Sequence, residues 1–376
     1  MDFLTRFLSY INAAGAVHAL IQAAVLLFTR RGNSRAHRFM AFFLVALAIG
    51  MANGMMTLLN LYESWPGLGV FMGSVVLTYG PLFYFYIRAM TDPHHGPASR
   101  DILHGIPFLL GLAAYAAYLK WFAESADLPG IIGSIVRTPW IVVTILAAIQ
   151  TAGYVAGIVR LLRRHSERIK AAYATIERVN LGWLRLRLII YAAIWAAALA
   201  MIIGVRFETR PVALTGQIVF FLIALNTFAT GYRALLQSEI FLGPAESGPG
   251  RRYERSSLTP ENAEIYKMRL LERMERERSY LDPEITLPKL AQALDIPVAH
   301  LSRVINELLG RNFYEFINRY RVEEAKRRLA GPDAGREKLI AVGLDCGFNS
   351  LATFNRVFKE LTGRTPSDFR KNPAAL

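Results

Sequence analysis

Long runs of apolar residues, separated by short polar segments, fill the first 240 positions of this 376-residue chain. Most runs reach the roughly 20 residues that an α-helix needs to cross the hydrocarbon core of a bilayer. A helix in a soluble bundle keeps a polar outer face, and these runs have almost none, so the pattern predicts a transmembrane bundle. The seven runs are residues 8–28, 39–61, 68–90, 102–121, 139–161, 188–204 and 212–232.

The pattern changes after residues 243–250, a segment rich in Gly and Pro that predicts a domain boundary. Downstream, apolar residues recur every three or four positions between charged ones, as in the amphipathic helices of a globular domain. Thr259 and Pro260 suit the N-cap and first turn of a helix. The apolar stripe of that helix consists of Ile265, Met268, Leu271 and Met274. The sequence therefore predicts an all-α protein with a seven-helix membrane domain at 1–240, a flexible linker at 241–259, a connecting helix at 260–280 and a second domain at 281–372.

Basic residues are concentrated in alternate connections between the apolar runs. Four arginines follow the first run, two follow the third and eight Lys and Arg follow the fifth, whereas the other connections carry none or two. By the positive-inside rule, the N-terminus lies outside and the chain after residue 232 is cytoplasmic. This topology requires an odd number of spans, and seven satisfies it. The predicted location is a bacterial inner membrane, crossed several times, with the C-terminal domain in the cytoplasm.

The connection between the fifth and sixth runs, residues 160–187, is long, basic and partly helical in pattern. Attraction to anionic lipid headgroups, worth about 1 kcal/mol per cation near the surface, accounts for this charge. Contact with the C-terminal domain is the alternative interpretation.

Several polar side chains are expected at membrane depth in the bundle. Hydrogen bonds between helices are the ordinary reason for such residues. Recognition of a small ligand or lipid is the alternative, and it would take place between helices because the exposed loops are short. These residues are His18, Gln22, Asn53, His104, Gln150, Gln217 and Asn226.

Composition narrows the chemistry. Both parts of the chain are basic, with 20 Lys and Arg against 11 Asp and Glu up to residue 250 and 23 against 18 thereafter. The single cysteine, Cys346, excludes an internal disulfide, and no Cys/His cluster has zinc-site spacing. The sequence also lacks HExxH, GxSxG and paired intramembrane carboxylates. We therefore predict a protein that is not an enzyme and that uses no metal or cofactor.

Residues 287–306 carry the pattern of a helix-turn-helix unit. The small residue Ala291 stands where two crossing helices approach closely, and Asp295 occupies the turn, where it tolerates left-handed geometry. In such a unit the second helix is held out from the domain so that its exposed side can enter a major groove. The apolar residues between the helices are Leu294, Ile296, Leu301 and Val304.

A second unit of the same kind follows a long connecting helix. Asn312 and Glu315 form the pattern of a capping box at the start of this connecting helix. The helix is predicted to keep Arg319, Arg321, Lys326, Arg327 and Arg328 largely outward. Val342 and Gly343 then begin the second unit, whose turn is Cys346-Gly347-Phe348. Asn349 and Ser350 can cap its second helix, whose inward stripe is Phe354, Val357, Phe358 and Leu361.

These two units in series resemble the DNA-binding domain of the AraC/XylS family of transcription regulators. The family's tail pattern is present as Gly347-Phe348, Phe354-Asn-Arg356-Val-Phe358 and Thr365-Pro-Ser-Asp-Phe369-Arg370. The resemblance covers residues 265–372. It implies a domain that sets two recognition helices into successive segments of the major groove on one face of the duplex.

The resemblance also implies which side chains face DNA. Arg303 is able to read guanine in bidentate fashion, whereas Arg356 is either a base contact or a structural or phosphate-bound residue. Ala299, Leu351 and Ala352 favour contact with thymine methyl groups or readout of DNA shape. The full predicted set is Ala299, His300, Ser302, Arg303 and Asn306 in the first unit, Leu351, Ala352, Thr353, Asn355 and Arg356 in the second, and Ser350, Lys359 and Arg364 as phosphate contacts.

The sequence thus favours a membrane-anchored, sequence-specific transcription regulator whose bundle senses a ligand or envelope state. Its expected partners are double-stranded DNA, the lipid bilayer and a second copy of the chain, and RNA polymerase and an unknown small ligand or lipid are further candidates. The alternative hypothesis is a transporter or membrane enzyme with an autoregulatory DNA-binding tail.

Overall fold

A computed structural model describes residues 3–29, 33–92, 96, 98–124, 139–177, 179–206, 212–236, 258–331 and 336–373. Helices dominate these residues, and no strand occurs among them. The prediction of a helical protein is confirmed in this respect. The chain divides into two compact units, the first made of Met1–Arg163 with Leu181–Ile240 and the second of Arg164–Asn180 with Phe241–Leu376.

The first unit contains a helix at each of the seven apolar runs. One short 3-10 turn, Val76–Thr78, interrupts the third run between two longer helices. The helices are α1 (Phe3–Phe28), α2 (Ser34–Leu58), α3 (Leu61–Ser64), α4 (Pro66–Val75), α5 (Tyr79–Thr91), α6 (Ile106–Glu124), α7 (Pro139–Ala172), α8 (Gly182–Arg206) and α9 (Val212–Leu236).

Four helical segments of the described chain are long and apolar enough to cross a membrane. They are Arg6–Phe28, Ser34–Asn53, Gly67–Thr91 and Ile145–Ala172. The interior of the unit is aromatic and aliphatic, with Phe43, Leu44 and Tyr86 almost fully buried. The outer faces are apolar as well: Ile149 and Ile189 each expose 66% of their surface.

The second unit is a set of short helices with side-chain caps. Thr259, Thr286, Asn312, Ser350 and Thr365 each accept a hydrogen bond from the backbone N–H three residues later, which satisfies a donor that the first turn leaves free. The helices are α10 (Pro260–Arg276), α11 (Leu287–Leu294), α12 (Val298–Arg303), α13 (Phe313–Ala330), α14 (Leu339–Asp345), α15 (Leu351–Thr362) and α16 (Pro366–Lys371).

Four residues were predicted on the wrong side of their helices. Of the stripe predicted for α10, Met274 is buried and Leu271 is partly buried, as expected. Ile265 and Met268 are exposed, because Ala263 and Leu270 supply the rest of the buried face. Leu361 is 38% exposed at the end of α15. Arg321, expected outside, is only 1% exposed in the middle of α13.

Residues 164–180 lie with the second unit, although by sequence they join two apolar runs of the first. Ala174 is buried in the same cluster as Leu270 of α10 and Ile317 of α13. The predicted domain boundaries follow the order of the chain, whereas the packing of this segment does not.

Candidate nucleic-acid interface

The first helix-turn-helix unit is formed by α11, α12 and the π-helical turn Val304–Leu308. Asp295 has φ 54° and ψ 48°, the left-handed conformation that the turn requires. The backbone N–H of Ile296 donates to the carbonyl oxygen of Ala291 at 3.0 Å, which closes the turn. Ala291, Leu301 and Val304 are fully buried between the two helices, so α12 is held by its apolar side.

Four of the five residues predicted to face DNA in this unit lie on the open side of α12 and its extension. Arg303 and Asn306 are exposed, and Ala299 and Ser302 are half-buried. Arg303 forms an ion pair of 3.2 Å with Glu307, one turn later, and both side chains remain about half exposed. Such an exposed pair contributes little to stability, which leaves the guanidinium available for exchange onto a base edge.

His300 lies apart from this set. Its side chain is 7% exposed, and its ring stacks on Tyr266 of α10 with the centroids 5.9 Å apart. His300 therefore connects the first helix-turn-helix unit to α10 rather than presenting an edge to a groove.

Two glycines determine the backbone geometry of the second helix-turn-helix unit. Gly343 of α14 lies under Phe354, where a Cβ atom would come within 2.9 Å of the ring. Gly347 has φ 87°, a conformation that L side chains rarely adopt. Ser350 then accepts a hydrogen bond of 3.2 Å from the backbone N–H of Thr353 and starts α15. Phe354 and Phe358 are fully buried and fix the rotation of that helix.

The residues predicted to face DNA in the second unit are divided by their surroundings. Leu351, Ala352, Asn355, Arg356 and Lys359 are exposed on one face of α15, and Ser350 is half-buried as the N-cap. Thr353 is only 7% exposed, and its Oγ1 donates a hydrogen bond of 2.8 Å to Glu177 of the segment 164–180.

Arg356 has several partners within the second compact unit. Its Nη2 donates to the hydroxyl of Tyr314 at 3.0 Å, and its Nη1 lies 3.2 Å from Glu360. Its Nη2 also lies 3.7 Å from Glu177. Burial raises the pKa of the Tyr314 hydroxyl, which keeps it neutral as a partner for the guanidinium.

Arg364, expected at a phosphate, closes the C-terminal helix. Its Nη2 donates to the carbonyl oxygen of Asp368 at 2.8 Å and its Nη1 to that of Asn372 at 3.0 Å. Its guanidinium also lies over the ring of Phe369. Lys359 remains exposed, so it is the better placed of the two to contact a phosphate.

Sequence reasoning missed Arg321 and Glu177. A signal existed for Arg321, because it stands four residues after Ile317 and four before Ala325, on the buried face of α13. Burial lowers its pKa to about 10. Glu177 had no such signal, since nothing in the sequence distinguishes it from Glu167, the other acid of the basic connection, or indicates a distant partner. Among the described residues, no group of His, Cys, Asp or Glu could hold a metal ion.

Comparison with protein families places a helix-turn-helix domain at residues 290–372 of this chain. An uncharacterised HTH-type transcriptional regulator of Staphylococcus aureus strain COL is 34% identical over 93 residues, which cover 25% of this chain and 12% of the relative. The uncharacterised HTH-type transcriptional regulator YijO of Escherichia coli K12 is 34% identical over 98 residues, which cover 25% of this chain and 34% of the relative. The chain thus spans about an eighth of the length of the first relative and a third of the second.

A solved structure, the C-terminal domain of the response regulator AraT from Geobacillus stearothermophilus, is 22% identical with a TM-score of 0.25, and the match covers 31% of this chain and 88% of that one. At that TM-score the likeness supports no argument. The family match and the curated relatives establish that the C-terminal part of the chain carries an AraC-type helix-turn-helix domain.

Proposed function

We propose that this protein is a sequence-specific DNA-binding transcription regulator that is anchored in a membrane by its N-terminal helices. The observation that carries the DNA-binding part is the pair of helix-turn-helix units, each with a recognition helix fixed by a buried apolar side and open on the other. Two such helices read two segments of major groove, which gives more discrimination than one.

Base reading is assigned to exposed polar residues of the two recognition helices. Arg303 is able to donate two hydrogen bonds to guanine, and Asn355 to pair in the same way with adenine. Ala299, Leu351 and Ala352 supply apolar contact to thymine methyl groups. Lys359 contacts a phosphate, which adds affinity without sequence preference.

The outer faces of the first compact unit, which contains the N-terminal helices, support membrane anchoring. Ile149, Ile189 and Leu186 each expose more than half of their surface, and four helical segments meet the length and composition of a membrane span. Apolar surface of this extent is unfavourable in water and carries no such cost in lipid. We assign seven spans, an external N-terminus and a cytoplasmic DNA-binding domain from the distribution of Lys and Arg in the connections.

Pairing of two chains is part of the proposal. Ile265 and Met268 are exposed one turn apart on α10, and they offer a small apolar contact next to the first recognition helix. Two linked domains bind two sites with a higher effective affinity than one domain. In this proposal the bundle receives the signal, from a ligand, a lipid or the state of the envelope.

The test uses the full-length protein in lipid nanodiscs and a pool of genomic fragments. The wild type should enrich a defined sequence. Arg303→Ala should relax the preference at one base position at a cost of about 1–3 kcal/mol, and Lys359→Ala should weaken all sequences equally and lower the salt slope by about one. Enrichment of no sequence, either by the wild type or by any variant of it, would exclude specific DNA binding.

Membrane anchoring and orientation are tested separately. The protein should sediment with membranes and resist extraction by salt. Protease added to intact spheroplasts should spare the C-terminal domain and should digest it after lysis. Cleavage of that domain in intact spheroplasts would reverse the proposed topology.

A further inference from the structure

Residues 164–180, here called the docked segment, pack against the helices α10 to α16 of the second compact unit, here called the DNA-binding unit. Tyr173 forms an antiparallel bridge with Thr286, the N-cap residue of α11. The side-chain amide of Asn318 donates to the carbonyl oxygen of Ala174 at 3.1 Å. Ala174 is 1% exposed within the core of the unit, so the segment contributes to that core.

The polar contacts of the docked segment are also directional. The Oγ1 of Thr175 donates to the carbonyl oxygen of Pro283 at 2.9 Å and accepts from Nη1 of Arg321 at 3.2 Å. Within the segment, Nε2 of His165 lies 3.0 Å from the carbonyl oxygen of Val179. Contacts to fixed backbone atoms select one position of the segment, which general attraction between a basic loop and lipid does not.

Glu177 brings a carboxylate to the second recognition helix. Its Oε1 accepts the hydrogen bond of 2.8 Å from Thr353 and lies 3.7 Å from Nη2 of Arg356. Both residues belong to the set predicted to face DNA. A phosphate or a base acceptor that approached the same donors would meet an occupied site and a like charge.

We propose that the docked segment competes with DNA for Thr353 and Arg356, so that full affinity for DNA requires its release. This inference rests on the proposed function. The segment begins with the last turns of α7 and leads into α8. The remaining parts of these two helices belong to the first compact unit. A signal received there reaches the recognition helix by loosening the segment, without passing through residues 241–259.

The first experiment measures the affinity of the full-length protein in nanodiscs for its enriched DNA sequence. Glu177→Gln removes the negative charge beside Thr353 and Arg356 but keeps an oxygen that can accept a neutral hydrogen bond. It should bind DNA about five- to tenfold more tightly than the wild type, the range expected when a charge-assisted hydrogen bond is replaced by a neutral one. Glu167→Gln is the matched control, since Glu167 is an exposed acid of the same segment, and its affinity should equal that of the wild type.

A second experiment locks the segment in place. Residues paired in an antiparallel bridge have Cα atoms about 4.5–5.5 Å apart, within the range of a disulfide. The double variant Tyr173→Cys with Thr286→Cys should therefore form a disulfide, and the oxidised form should bind DNA at least about fivefold more weakly than the reduced form. The reduced form of the same preparation serves as the control for folding.

The outcomes separate the two proposals. If the wild type enriches a sequence but Glu177→Gln binds it with equal or lower affinity, or if oxidation leaves the affinity of the locked variant unchanged, the competition is refuted and the proposed function stands. If no variant enriches any sequence, the proposed function fails and the inference fails with it. Tighter binding by both Glu177→Gln and Glu167→Gln would reduce the effect to general charge and would also refute the competition.

Discussion

The Nε of Arg321 donates a hydrogen bond of 2.7 Å to the carbonyl oxygen of Tyr280. Its Nη2 donates to the carbonyl oxygen of Asp282 at 2.8 Å. Tyr280 and Asp282 belong to the connection between α10 and α11. The same buried guanidinium lies over the ring of Phe348. It thus joins α13 to the connection that precedes the first helix-turn-helix unit and to the turn of the second.

Replacing Arg321 with Met should lower the stability of the second compact unit by about 3 kcal/mol, because the buried carbonyl oxygen of Tyr280 and the partly buried one of Asp282 lose their donors. Cys346 is the only cysteine of the chain and is fully buried, so pulsed thiol labelling in urea reports the unfolding of this unit in the full-length protein. The urea midpoint of labelling should fall.

Arg319→Met is the matched control for this change. Arg319 is exposed two residues earlier on the same helix. Its replacement should leave the free energy of unfolding within about 0.5 kcal/mol of the wild-type value. Equal effects of the two variants would mean that the hydrogen bonds of Arg321 contribute nothing.

Gly347→Ala should destabilise the second helix-turn-helix unit by about 3 kcal/mol or more. The added Cβ would lie 2.8 Å from the carbonyl oxygen of Tyr280 and 2.9 Å from that of Leu281, and main-chain atoms cannot move aside as a flexible side chain can. The measurement is again the urea dependence of Cys346 labelling.

Gly310→Ala separates conformation from crowding. Gly310 also has a positive φ, 63°, but nothing lies within 4 Å of the position that an added Cβ would take. Its replacement should cost only the conformational penalty of about 1 kcal/mol. A loss at position 347 no larger than that at position 310 would contradict the close packing against Tyr280 and Leu281.

Local patterns predicted the elements of the DNA-binding unit, because caps and turns depend on residues close together in the sequence. Asp295 takes the left-handed conformation expected of it, and Asn312 with Glu315 forms both bonds of the capping box. Tertiary partners could not be predicted in this way. The hydroxyl of Thr353 donates to Glu177, which lies 176 positions earlier in the chain.

The same limit applies to the two sides of the first recognition helix. His300 and Ser302 are two positions apart on α12 and therefore lie on different sides of it, and helical spacing alone does not say which side α10 covers. The answer depends on Tyr266, which comes from another helix.

His300→Ala should therefore lower stability by about 1–2 kcal/mol through loss of a buried ring contact, and it should leave the selected DNA sequence unchanged. Ser302→Ala should do the reverse, with unchanged stability and an altered preference at one base position. Fragment selection and thiol labelling on the same preparations provide both values. An altered sequence preference in His300→Ala would place the imidazole at the DNA.

Cys346 itself should react very slowly in the folded protein. Burial raises the pKa of its thiol to about 12 from a usual value near 9, and only the thiolate reacts with alkylating reagents. At pH 8 the thiolate fraction of the folded state is about a thousandfold lower than that of the unfolded chain. The rate of alkylation by iodoacetamide in the absence of urea should be lower by at least that factor.

The pH dependence of the same reaction has a definite direction. In the unfolded chain the rate should level off above about pH 9, because the thiol has lost its proton there. In the folded protein it should keep rising about tenfold per pH unit to beyond about pH 10, since the folded thiol retains its proton to higher pH. A plateau near pH 9 without urea would show that Cys346 is solvated, and the buried turn between α14 and α15 would then be wrong.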